Sequence, residues 1–212
     1  VLFPLYIALV ATTHTFDVLI GSTPLWFGGE FLKNFTTVLT QGLKAAGGIP
    51  VWGRMANSLV MALGIAIGKI AISITAAYAI VYFRFPGREL CFVLIFITLM
   101  MPVEVRIVPT FQVAANLNFI DTSLGLVLPL IASATATFLY RQMFMTIPAE
   151  LLEAARIDGA GPWRFFVDVV LPLSRPNTAA LFVVLFIYGW NQYLWPLLVT
   201  NQESMYTIVM GL

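Results

Sequence analysis

Charge is what this sequence has least of. Asp, Glu, Lys and Arg together make up 10% of 212 residues, against about a quarter in soluble domains. There is one histidine, His14, and one cysteine, Cys91. A lone cysteine excludes an intrachain disulfide, and its place in an apolar run reads as packing. No H-E-x-x-H pair and no G-x-S-x-G elbow occurs, which removes the common metal and nucleophile signatures. The nearest approach to a phosphate loop, "GIAIGKI" (64–70), has three residues between its glycines where four are needed. Ile70 also stands where that loop requires Ser or Thr. A net charge of +1 argues against a nucleic-acid partner.

What is present is apolar: 60% of the residues are hydrophobic, and mean hydropathy is +0.92. Four stretches, about 57–82, 90–109, 123–140 and 178–198, have roughly the 20 residues needed to cross a bilayer as a helix. The opening "VLFPLYIALVATT" is shorter and lacks the charged start of a signal peptide. It reads as the outer end of a fifth spanning helix. The expectation is an all-α polytopic membrane protein in one transmembrane domain over 1–212, cut at both ends, with five of six spans present. Arginine density orients it. Arg84 and Arg88 in the turn "RFPGRE", with Arg141, Arg156, Arg164 and Arg175 in 141–177, put those two loops in the cytoplasm. Lys33, Lys44 and Arg54, with Arg106 near that end, are sparser, which makes 14–56 periplasmic. Within 14–56, "FLKNFTTVL" reads as a short amphipathic helix on the bilayer. Its Asn34-Phe35-Thr36 fits a glycosylation triplet, a common pattern.

The polar loop "AELLEAARIDGAGPWRFFVDVVLPLSRP" (149–176) is the odd stretch of the chain. Pro148 suits a first helical turn, Ala, Leu, Glu and Arg favour helix, and Gly159 fits a left-handed helix end. Pro162 opens a second helix, expected to stop at Leu171-Pro172. Ala154 and Ala155 leave one side of the first helix flat, flanked by Glu153 and Asp158, so another surface can approach closely. The plainer alternative is a helix lying on its own protein, with Glu153 paired to Arg156.

Three charges fall inside the spans: Lys69, Glu104 and Arg106. Each is costly in lipid and marks a pathway, a gate or a buried pair. Pro102 and Pro109 disturb the helix that carries Glu104 and Arg106, and irregular backbone is tolerated only where it is buried or lines a cavity. Tyr188, Trp190, Asn191, Tyr193 and Trp195 form a polar-aromatic face on the last span, suited to substrate contact or to an interfacial belt.

Glu153-Ala154-Ala155, Gly159, Val169, Leu171 and Pro172 follow the "EAA---G---------I-LP" signature, and the chain resembles permease subunits of bacterial ABC importers, in their binding-protein-dependent sugar-uptake branch. "NSLVMA" (57–62), "MPVEVRIVP" (101–109) and "WNQYLWPL" (190–197) resemble other segments of that family. "MPVEVRI", "LIASATATFLYRQ" and "FIYGWNQYLWPLL" carry a narrower likeness to permeases for sn-glycerol-3-phosphate. The resemblance implies a type I importer permease fold whose loop 141–177 holds a coupling helix. Glu153, Ala154, Ala155, Asp158, Gly159, Leu171 and Pro172 are then its ATPase-coupling residues. Lys69, Glu104, Arg106, Tyr188, Trp190 and Asn191 are assigned to the substrate pathway. It further implies a second permease subunit, two ATPase subunits that bind the ATP, and a periplasmic binding protein, with no cofactor in this chain. The cargo implied is sn-glycerol-3-phosphate or a related polyol phosphate, with a neutral sugar or oligosaccharide as the alternative. An intramembrane enzyme needs a nucleophile and base that the spans lack, and a channel or secondary carrier needs no docking helix.

Overall fold

The computed structural model describes residues 2–42 and 50–211, with the side chains of 99, 103 and 104 outside the description. Lys44 therefore lies outside the described residues. The described residues form helices and connecting loops, without a strand.

The axis of the molecule is α4 (Val51–Tyr82), 32 residues long. It begins six residues before the expected 57, because Pro50 precedes it and Val51, Trp52 and Met55 extend its apolar face. Its sequence is built for close contact. An added Cβ at Gly64 would lie 2.8 Å from Val127, one at Gly68 2.5 Å from Ile131, and Gly189 leaves room for Ala62 in the same way, at 2.9 Å. Gly64 and Gly68 are four residues apart on one helix face, the small-x-x-x-small spacing that lets helices approach in a membrane. This explains "GIAIGKI" as a packing face.

The second long helix is continuous where a stop at Leu171-Pro172 was expected. α10 (Pro162–Phe165), a π-helical turn (Phe166–Val170) and α11 (Leu171–Trp190) form one 29-residue helix. The π turn interrupts the usual hydrogen-bond register just ahead of Pro172, so the proline's missing N–H falls where the ladder is already broken. The same helix ends at Trp190, short of the expected 198. Asn191 to Tyr193 break the chain, and α12 (Leu194–Val199) follows as a separate short helix.

The other expected spans are also broken. α5 (Arg88–Ile97) runs into a 3-10 turn (Thr98–Met100), and Pro102 then starts α6 (Val103–Asn116). So 90–109 is two helices, and 111–116, expected as linker, is helical. Pro109 stays inside α6. α7 (Ser123–Val127), with its 3-10 turn to Leu130, meets α8 (Ala134–Met145) at a 48° bend. Two helices are thus long and apolar enough to cross a membrane unbroken, with the bent pair as a third. α1 (Leu2–Ala11), α2 (Phe16–Gly21) and α3 (Phe31–Thr40) precede them, α3 where "FLKNFTTVL" predicts a helix. The side chain of Asn34 is used inside the fold: Nδ2 donates to the carbonyls of Thr12 at 3.0 Å and His14 at 2.8 Å. Cys91, expected in packing, is exposed on α5.

Contacts sort the loops into two ends. Arg141 lies 3.8 Å from Glu89 and its guanidinium sits 4.0 Å over the Phe92 ring. The turn 84–89 and the start of 141–177 therefore share one end of α4. At the other end Asn57 donates to the carbonyls of Ser204 and Tyr206, and the Ile208 N–H donates to Ser58 Oγ.

Candidate functional site

At the first end the chain builds a short helix on a bed of rings. Pro148 precedes α9 (Ala149–Ile157), and Glu150 in its first turn complements the positive helix end. The helix closes in a Schellman arrangement: Gly159 N–H donates to the Arg156 carbonyl at 3.0 Å and Ala160 N–H to the Ala155 carbonyl at 2.8 Å. Gly159 takes φ +73° for this, and a Cβ there would meet nothing within 4 Å. Its requirement is conformational, not steric. Pro162 then opens the next helix, and Tyr78 Oη donates to the Pro162 carbonyl at 2.6 Å.

The inner face of α9 lays Leu152 and Ala155 against a core of Tyr78, Tyr140, Phe144, Phe165, Phe166 and Val170. Its outer face carries Glu153, Ala154, Arg156, Ile157 and Asp158, all exposed. The two alanines therefore face different ways, and only Ala154 is open to another surface. Glu153 and Arg156 form no ion pair among the described residues. Exposed Ile157 and Trp163 add apolar surface beside the acids. A cavity of about 340 Å³ separates α9 from the end of α4, lined by Tyr78, Tyr82, Arg84, Ala155 and Arg156 among others. Leu171 and Pro172 are not part of this surface. They lie within the long helix, on an apolar cavity with Ile70, Arg175 and Phe182.

The second place is in the middle of the bundle. Lys69 is buried, with 7% of its surface exposed, and its Nζ lies 3.9 Å from the centre of the Tyr188 ring. No carboxylate among the described residues pairs with it. Lys69, Arg106, Thr110, Tyr188, Gln192 and Trp195 line one cavity of about 140 Å³. The bend at 131–133 contributes Ala132 to its wall. Thr110 Oγ1 donates to the Arg106 carbonyl at 2.7 Å and Gln192 Nε2 to the Tyr188 carbonyl at 3.2 Å. Neither Thr110 nor Gln192 was singled out from sequence. Each lies four residues past a residue that was, the spacing that groups side chains on one helix face.

The aromatic face expected on the last span divides at the break after Trp190. Tyr188 reaches the cavity. Trp190 stacks 5.8 Å from Phe186, half-buried. Asn191 caps the helix and is exposed. Tyr193 is exposed, while Trp195 is buried and its indole N–H donates to the Gly125 carbonyl at 3.0 Å. Glu104 lies in α6, and its side chain is outside the described residues.

A family model described as "Binding-protein-dependent transport system inner membrane component" matches residues 69–211. Over its full length the chain is 56% identical to the sn-glycerol-3-phosphate transport system permease protein UgpE of Salmonella typhimurium, covering 75% of that protein. It is likewise 56% identical to the UgpE of Agrobacterium fabrum, covering 76%. Among solved structures, a bacterial ABC transporter involved in the import of the acidic polysaccharide alginate superposes with a TM-score of 0.80 over 99% of this chain and 71% of that one. At 21% identity that likeness is one of fold.

Proposed function

Because the chain belongs to the family of binding-protein-dependent transport system inner membrane components, we propose that it passes sn-glycerol-3-phosphate or a related polyol phosphate across that membrane by alternating access. Membership makes it a multi-pass inner-membrane permease of an ATP-driven importer, without catalysis of its own. It works with an ATPase and a substrate-binding protein. On this proposal a second, different permease subunit completes the path, and a pair of ATPase subunits supplies the closing force.

The loops 84–89 and 141–177 face the cytoplasm, and 14–56 faces the periplasm. Dense arginine at one end of α4 supports this orientation. α9 is the coupling helix. Its exposed Glu153, Ala154 and Asp158 meet the ATPase, and its half-buried Leu152 and Ala155 pass the motion to the rings beneath. Lys69, Arg106 and Tyr188 line the substrate path, with Glu104, Trp190 and Asn191 along the same stretch.

One observation carries the cargo assignment: full-length identity of 56% to permeases named for sn-glycerol-3-phosphate. The aromatic lining from Tyr188 and Trp195 favours a second reading, a neutral sugar, whose ring faces and hydroxyls such groups meet well. The test is uptake by the reconstituted importer from a panel of glycerol 3-phosphate, glycerol and neutral sugars. Saturable uptake of glycerol 3-phosphate, lost in Glu153→Lys and Gly159→Val while both proteins insert normally, is the expected result. Uptake of a neutral sugar alone refutes the cargo, and normal uptake in both variants refutes the coupling role.

A further inference from the structure

Two cations share the central cavity, and among the described residues nothing neutralises them. Lys69 is 7% exposed, so most of its side chain is removed from water. Buried ions are ordinarily paired or hydrogen-bonded. Lys69 instead lies over the Tyr188 ring, and no acceptor among the described residues takes its three protons. Arg106, an exposed residue, opens onto the same space and is outside the ion pairs among the described residues. Two like charges facing one cavity repel, and a single anion between them replaces that repulsion with two attractions.

We propose that Lys69 and Arg106, with Tyr188 holding the lysine in place, form a binding site for the doubly charged phosphate of a phosphate monoester. The site rests on the reading that the cargo is a polyol phosphate, and it adds the group that recognises the charge. The guanidinium of Arg106 suits two parallel hydrogen bonds to phosphate oxygens, while the ammonium of Lys69 supplies a compact point charge. Thr110, Tyr188 and Gln192 add polar groups around the same space. Size agrees with this. About 140 Å³ is less than half of the smallest ordinary ligand pocket of about 300 Å³. It takes a phosphate group, not a sugar chain. The ring of Tyr188 keeps the ammonium aimed at the cavity through a cation–π contact. A cation so held attracts the anion without the cost of ordering a flexible side chain.

The experiment measures equilibrium binding of radiolabelled inorganic phosphate, with glycerol 3-phosphate as competitor and glycerol as neutral control. It uses the complete importer in lipid nanodiscs, free of nucleotide and of the binding protein. Wild type binds phosphate, glycerol 3-phosphate displaces it, and glycerol does not. Lys69→Met and Arg106→Gln each weaken binding about 10- to 150-fold, the loss of one charge-assisted contact. Lys69→Arg, which keeps the charge, stays within about tenfold of wild type. If Lys69→Met does not assemble, Arg106→Gln and Lys69→Arg decide the matter: an unweakened Arg106→Gln overturns the site. A wild-type importer that binds no phosphate also overturns it, and leaves Lys69 as the partner of a carboxylate from a neighbouring subunit. The cargo reading fails separately. An importer that loses phosphate on Lys69→Met but carries only neutral sugars retains the site and loses the substrate assignment.

Discussion

The two ends of α4 are held by different forces. At its C-terminal end, Tyr78 and Tyr82 interlock with Phe144, Phe165 and Phe166, with ring centres 4.7 to 6.1 Å apart. At its N-terminal end, Asn57 and Ser58 hold the segment 204–208 by side-chain-to-backbone hydrogen bonds, and Arg54 reaches the Gly211 carbonyl. Interdigitated rings cannot slide without opening a void, so they behave as one piece. Hydrogen bonds to backbone are worth about 1 kcal/mol net each and exchange readily with water or a new partner. The stiff end is the one beneath α9. The exchangeable end is the one where α4 meets a segment from a distant part of the chain.

The strongest way to break this contrast is to empty the ring end. Phe144→Ala removes a side chain only 1% exposed and should cost about 3–5 kcal/mol. The expected readout is a lower unfolding temperature in detergent and loss of uptake. A variant of normal stability would mean the rings do not form a rigid unit. Between the ends, Gly189→Ala places a Cβ 2.9 Å from the Ala62 Cα, and main chain cannot turn aside. The two long helices must separate, at about 1–3 kcal/mol. Cross-linking between cysteines placed on α4 and α11 should fall. At the polar end, Ser58→Ala leaves the Ile208 N–H without its acceptor and should cost about 1 kcal/mol. Hydrogen exchange at 204–210 should quicken while that at 140–166 stays the same. Quickening at both ends would erase the distinction.

The smallest effect concerns Asp121. Its carboxylate accepts from the backbone N–H groups of Gln202 and Asn201, and these bonds, Gln202 foremost, hold its pKa below the usual carboxylate value. A depressed pKa adds stability above the ordinary value of about 3.9 that is lost as pH falls through the folded value. Hydrogen exchange at 200–202 should therefore be flat from pH 7 to 5, once corrected for intrinsic rate, and quicken only below about pH 4. Asp121→Asn should remove that acid limb. An unchanged profile would mean that these bonds contribute nothing.

Much of the end that carries α9 was legible in the sequence because it is local. The helix from Ala149, its glycine stop and the restart at Pro162 depend on capping chemistry written within a few residues. Of the breaks inside the apolar stretches, the one at Pro102 was legible; the bend at 131–133 and the stop after Trp190 were not, because hydropathy sums over a window and is the same for a straight span and a kinked one. Prolines alone did not decide the matter. Pro102 begins a helix, Pro109 and Pro176 sit inside helices, and Pro172 is accommodated by a π turn. The cavity was half legible: Lys69 and Arg106 announce themselves as charges among apolar residues. Their meeting point depends on the bend at 131–133, which no local pattern specifies.

The π turn at Phe166–Val170 also works as an angular setting. Each residue of an α-helix advances the direction of its side chain by about 100°. Were 166–170 to close into ordinary helix with all its residues kept, everything beyond it would be rotated by about that amount. Tyr188 would then arrive where Gly189 now leaves room for Ala62, and Ile187 would stand where the Tyr188 ring now meets Lys69. One π turn next to α9 thus fixes which side chain faces the cavity some twenty positions away.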